Sequence, residues 1–600
     1  MSDQPVSFFK KHQVAIAATV GVAASAAAAY YVLQQTKSSS TSQASGDSHV
    51  KKSKKKHKKS SKKTKKAYPV DGSGDPSVTK EYADSLTEEQ KDSIALALKE
   101  DGNEYFKNKE FEQAVKYYTA AIALKEDPAF YSNRSACYIA LKDFEKVIED
   151  TSTALKLKPD YTKCMLRRAT AYEQLGKYEE AMFDLTAATI YGGFNTKPTE
   201  QSLERILKTY SYELVADKLK NRVPQLPTAS AIASFFAGYS EDQLFDGLPK
   251  STDGLDPSSA EFFLVSAVKK ICERSYTGYE EADSFIQQAL SVYEATEDKS
   301  SEEFKSGYSL ALEYSCIFDF LKSDPLKALE EIEKALSLHP RARSYVFKAM
   351  IYADRQDVSD AEKCFESALE LQPAASDIYY QRGQMYYLFS QLDKAEEDFK
   401  KAKELDPKNM YAYIQLACIQ YRKEDFAGSE KAFQEAKKLF PTSPEIPNYY
   451  GEILADRGEF DKAVEQFIIS HKLEDALPKI SVGVTPLVNQ AALVARQPTS
   501  EGLLGAIELL EKATDIDPKS ELAKITLAQL KLQVGKTEDA IKLFEEASNL
   551  ARSLDEKIQA TSFAEASKIQ VKIHTDPVLG AKIKEMIEQH GGPQALGMMG

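Results

Sequence analysis

Lys99, Asn133 and Arg167 lie 34 residues apart, and Asn103 and Lys163 stand four residues from the first and the last of them. On a helix a four-residue step keeps two side chains on one face. If each of these residues sits on an equivalent helix, three cations and two amides converge on one place. Lys and Arg supply charge-assisted donors and Asn supplies directional ones. A peptide ending in Asp offers two carboxylates, its side chain and its terminus, and is a chemical match. The competing explanation, solubilising surface charge, is weak for five residues in register. Arg168 reads as an ordinary surface charge, and Tyr105 and Phe111 read as packing. No other constellation competes. Six Cys and seven His are scattered, without C-x-x-C, H-x-x-x-H or H-E-x-x-H. No nucleophile–base set and no phosphate loop occurs, so neither metal, cofactor nor catalysis is expected.

The elements that must position these residues repeat. Ala349, Gly383, Ala417 and Gly451 form a 34-residue series of small residues, and Phe365, Phe399, Phe433 and Phe467 form an aromatic one. Ala361, Ala395, Ser429 and Ala463 fill a third series, and Pro340, Pro373, Pro407 and Pro441 close successive units. A second set lies at 92–192, with Gly102, Ala136, Ala114, Val147, Ala181, Tyr118 and Pro159 in matching places. A further clear copy covers 521–550, and weaker ones fill 258–340 and 484–518. Small residues where two helices cross, on this period, mark the tetratricopeptide repeat (TPR), a helix-turn-helix that stacks on its neighbours. The fold class expected is all-α: a TPR superhelical solenoid in two clusters of roughly ten or eleven repeats, preceded by a single transmembrane helix.

Seven segments follow: a short non-cytosolic tail at 1–13, an anchor at 14–33 and a Lys/Ser-rich spacer at 34–80; then a three-repeat clamp domain at 92–192, a linker at 193–257 and a C-terminal TPR domain of about seven to eight repeats at 258–590. A flexible tail at 591–600 ends the chain. The anchor is a twenty-residue uncharged stretch, Val14 to Leu33, long enough to span a bilayer core. Eleven Lys at 51–66 follow it and place the body in the cytosol by the positive-inside rule. Disorder is expected from about Thr36 to Ser77. A cleaved secretory signal is the alternative for the apolar stretch. Fifteen Lys against four Asp give the first eighty residues +11, so the remainder of a chain of net charge −13 carries −24. An acidic body argues against nucleic acid as a partner. Within the linker, the apolar ASAIASFFAGY at 229–239 is expected to dock on a neighbour.

In the C-terminal cluster the slot of Lys99, Asn133 and Arg167 holds Val346, Tyr380, Ile414 and Asn448, and the slot one turn later holds Gln384, Cys418 and Glu452. Tyr387, Tyr411 and Tyr421 occupy other positions on the same helices. This face is apolar and aromatic with a few amides, suited to a hydrophobic polypeptide. Packing between repeats is an equal alternative for any one of these residues.

L-K-E-D-G-N at 98–103, Y-S-N-R-S-A at 131–136 and K-C-M-L-R-R-A at 163–169 resemble the dicarboxylate-clamp TPR domains. The resemblance implies binding of the Glu-Glu-Val-Asp tails of cytosolic heat-shock chaperones by Lys99, Asn103, Asn133, Lys163 and Arg167. Together with the anchor, the 229–239 segment, Y-Y-Q-R-G-Q-M at 379–385, YIQLAC at 413–418 and TSFAEASK at 561–568, nearly the whole chain resembles the large TPR import receptors of the mitochondrial outer-membrane translocase, fungal type. That resemblance implies a single-pass receptor facing the cytosol. It would accept hydrophobic carrier precursors from chaperones and pass them to the import pore. The alternative is a TPR co-chaperone, membrane-anchored or soluble, without a translocase role.

Overall fold

The computed structural model describes residues 66–192, 197–220, 223–497 and 499–589. Among them every regular element is a helix, apart from an isolated bridge between Val70 and Pro76. The expected anchor, most of the spacer and the C-terminal tail lie outside the described residues. No described helix is long and apolar enough to cross a membrane. The described residues divide into two compact units: one lies within 215–561, the other within 66–214 together with 562–589.

The first unit contains three helical hairpins: Glu88–Lys107 with Phe111–Leu124, Pro128–Leu141 with Phe144–Leu157, and Thr162–Gln174 with Tyr178–Tyr191. Local chemistry sets their starts. Thr87 and Gln90 form a reciprocal capping box, and Asp127 caps a helix that opens with Pro128, a residue whose missing N–H costs nothing there. Gly102 sits where an added Cβ would lie 2.9 Å from the Tyr118 ring, so the small residue is what lets the two helices of the hairpin close.

Two expectations are corrected in this unit. Residues 66–77 fall in the stretch expected to be disordered, yet they pack on the first hairpin: Tyr68 is buried against Tyr117, and its hydroxyl donates to Asp101. Residues 562–589 were expected to continue the C-terminal domain. Instead Ile569, Ile573, Leu579 and Ile583 close over Met182, Leu185, Ile190 and Ile206. The cause is the Tyr178–Tyr191 helix, in which every residue from Asp184 to Ile190 is buried. A helix buried all round needs cover on more than one side.

The second unit stacks eight hairpins, from Ala260–Glu273 with Tyr276–Ala295 through Glu521–Gln533 with Thr537–Leu550. Phe365, Phe399, Phe433 and Phe467 are all buried. Cβ atoms at Gly383 and Gly451 would meet the Phe399 and Phe467 rings at 2.9 and 2.7 Å, so the aromatic and small series are two halves of one contact. The turns of four successive hairpins carry a left-handed residue on the same period: Gln356, Ser390, Glu424 and Gly458 all have φ between 60° and 79°. All six cysteines are free, and five are buried.

Candidate functional site

In the first unit the helices Glu88–Lys107, Pro128–Leu141 and Thr162–Gln174 carry the five residues singled out by spacing. Asn103 Oδ1 accepts from Tyr118 Oη at 2.7 Å and from Asn133 Nδ2 at 3.3 Å. Its own amide N–H groups are left to donate. Arg167 reaches back to the neighbouring helix, donating to the Ser132 carbonyl and, at 2.6 Å, to Ser132 Oγ. Burial pushes the Cys137 thiol up to about 12, and the positive charge of Arg167 pulls it down. Lys99 lies one turn before Asn103, and Lys163 one turn before Arg167. Neither lysine has a hydrogen-bond or ion-pair partner among the described residues; Lys99 is half-buried and Lys163 exposed. The place therefore holds two free ammonium groups, a guanidinium with donors to spare, and two amides. It can receive an anion that accepts several hydrogen bonds at once.

Arg168 is not an ordinary surface charge. Its Nε and Nη2 each donate at 2.7 Å to the buried Asp184 carboxylate on the partner helix of its hairpin. Arg134 with Asp150 and Arg382 with Asp398 repeat the same fork. An Asp sixteen residues after each Arg was the signal that spacing alone could have found.

The second unit's proposed groove is only partly open. Val346 and Ile414 are 0 % exposed; they pack between repeats and cannot touch a client. The first part of the concave face is occupied by the chain itself. Phe235 stacks on Phe347 at 6.1 Å, and Tyr239 lies against the same ring. Gly238 fits so closely that a Cβ there would stand 2.8 Å from the Tyr380 ring. The peptide that follows is held by polar contacts. Gln243 Nε2 donates to Asp377 at 2.7 Å, Arg343 Nη1 donates to the Gln243 carbonyl at 2.6 Å, and Tyr314 donates to the Leu244 carbonyl. The segment expected to be a linker is thus core for this unit.

Beyond that segment Tyr380, Tyr387, Cys418 and Asn448 are nearly covered, while Gln384, Tyr411 and Tyr421 are half-buried. Gln384 donates to Tyr380 Oη at 2.6 Å, Tyr411 to Glu445 at 2.9 Å, and Tyr421 to Asp456 at 2.5 Å. Two residues that spacing did not nominate also belong here, Tyr449, half-buried, and Asn489, buried, and they stand beside Glu452, which spacing did place and which is half-buried. Asn489 falls 41 residues after Asn448, because the hairpin between them is longer, and the fixed period passes it by. Among the described residues no cluster of His, Cys, Asp and Glu could hold a metal ion.

Tetratricopeptide-repeat profiles match residues 102–128, 162–189, 342–374, 376–409, 414–468 and 503–560. The chain is 41 % identical over 543 residues to the mitochondrial import receptor subunit TOM70 of Saccharomyces cerevisiae, covering 87 % of each. It is 27 % identical to the Homo sapiens protein of the same name, covering 85 % of this chain and 84 % of that one. The crystal structure of yeast Tom70 superimposes with a TM-score of 0.57 at 45 % identity, over 82 % of this chain and all of the other.

Proposed function

This chain belongs to the TOM70 family of mitochondrial import receptor subunits, and from that premise we propose how its two grooves divide the work. It is a receptor and not an enzyme. The first unit docks the C-terminal tails of cytosolic heat-shock chaperones, with Lys99, Asn103, Asn133, Lys163 and Arg167 holding the two terminal carboxylates. The second unit holds a hydrophobic precursor segment along Gln384, Tyr411, Tyr421 and Tyr449, and hands it to the import pore. Residues 14–33 anchor the chain in the outer membrane with its body in the cytosol.

The observation that carries this reading is the pair Lys99 and Lys163, two ammonium groups without internal partners beside a donor set already assembled by Asn103, Asn133 and Arg167. Internal ion pairs elsewhere in the unit engage Arg134 and Arg168, so these two cations are free by contrast with their neighbours. The test is fluorescence anisotropy with a tail peptide ending in Asp. Lys163→Ala should weaken binding by about tenfold to a hundredfold, the worth of one charge-assisted hydrogen bond. Amidating the peptide's terminus should do the same, and added salt should weaken the complex. Equal affinity for intact and amidated peptides would remove the clamp. Protease added to intact mitochondria should strip the body; a body protected until the outer membrane is ruptured would refute the topology.

A further inference from the structure

Glu452 carries a carboxylate without a counter-ion inside the second unit's groove. It stands on the Glu445–Asp456 helix, half-buried. Its Oε1 accepts from Asn448 Nδ2 at 3.0 Å and from Asn489 Nδ2 at 3.1 Å. Among the described residues Oε2 has no partner, and no Lys or Arg pairs with either oxygen. Burial raises this carboxyl to about 7, with Asn489 and Asn448 drawing it back.

Nothing packed around it supplies the missing charge. Tyr387 comes from the Ser376–Leu388 helix, Cys418 from Met410–Arg422, and Tyr449 from its own helix. Burial raises all three above their ordinary values, and the negative charge of Glu452 adds to the rise. Asn489, on the Thr485–Val494 helix, is uncharged. Arg422 donates to the Tyr387 carbonyl at 3.2 Å and to Ser390 Oγ at 3.1 Å, with its guanidinium over the Tyr387 ring. Glu445 is engaged by Tyr411, Ser443 and Ser481.

We propose that Glu452, framed by Asn448 and Asn489, receives a Lys or Arg side chain from the bound precursor segment. The inference rests on the reading that this groove holds the precursor. A carboxylate held in a water-poor site by two amides is costly unless a cation completes it. The aromatic rings of Tyr387 and Tyr449 add a surface that favours cations. The register makes the contrast with the first unit plain. Asn448 occupies the slot that Lys99, Asn133 and Arg167 hold there, Glu452 occupies the slot of Asn103, and Asn489 donates to Glu452 as Asn133 donates to Asn103. The sign of the site is reversed. An acidic chaperone tail meets cations in the first groove and a carboxylate in the second, so the same residue that attracts a basic precursor keeps the tail out.

The test uses the full chain in detergent with two synthetic apolar peptides, one with a single central Arg and one with citrulline, its neutral isostere, in that place. The Arg peptide should bind at least about tenfold tighter, and more so at pH 8 than at pH 6, where Glu452 is largely protonated. Glu452→Gln keeps the shape and an acceptor for both Asn amides; it should abolish the preference for Arg and its pH dependence. A citrulline peptide that binds as tightly as the Arg peptide, or a preference that survives Glu452→Gln, overturns the inference and leaves the groove reading standing. Failure of both peptides to compete with a precursor protein removes the groove reading itself, and the inference with it.

Discussion

Lys163 and Arg168 sit five residues apart with the same charge, and the structure gives them opposite duties. Lys163 points into solvent with nothing to bind, while Arg168 neutralises a buried carboxylate. Arg168→Ala should therefore cost roughly 3 kcal/mol of stability, because Asp184 is left charged and unpaired in the interior. Lys163→Ala should leave the melting temperature unchanged. Thermal denaturation of the two variants side by side decides it; equal melting temperatures would mean the fork between Arg168 and Asp184 is idle. At this scale the sequence was legible where spacing sets two side chains together, as at Asn103 and Asn133, which meet at 3.3 Å. It was not legible where burial decides the role. Ile414 and Tyr411 lie on one helix in the concave cluster, yet one is sealed between repeats and the other is half-open. A helical period fixes the face a residue shares, and not the depth at which its neighbours close over it.

The hairpins were readable because their closest contact has a type signature. Gly383 must be small because Phe399 lies against it, and the two series recur together. Gly383→Ala places a methyl group 2.9 Å from a ring edge and 3.2 Å from the Asp398 Cβ, so overpacking should cost about 1–3 kcal/mol. Chemical denaturation reads this directly; a stabilised variant, as the helix propensity of Ala alone would give, would show that the ring yields. The left-handed turn residue of four successive hairpins is equally periodic and was invisible. Gln356, Ser390 and Glu424 satisfy a backbone demand with unrelated side chains, and neighbouring contacts hold them there. The 229–239 segment was legible as apolar and bound to dock. That it would lie on the concave face, against Phe347 and Tyr380, depends on partners far away in the chain.

At the scale of the whole molecule, the sequence conveyed two repeat clusters but not that the chain's last helices return to the first of them. The clue was the lack of a polar face on the Tyr178–Tyr191 helix, which period-based reading treated as one more repeat. A fragment of residues 66–220 should expose the surface that Ile569, Ile573, Leu579 and Ile583 cover. It should unfold at a lower temperature than the same fragment supplied with a peptide of residues 562–589, and identical melting curves would deny the closure. In the proposed division of labour one groove reads acidic tails and the other apolar precursor segments. The measurement that tests it most directly is a pair of binding assays on the full chain and two variants of unchanged helicity, Lys163→Ala and Tyr449→Arg. Lys163→Ala should lose the tail peptide and keep the precursor, and Tyr449→Arg should keep the tail and lose the precursor. Loss of both ligands in either variant, or displacement of bound precursor by saturating tail peptide, would contradict it.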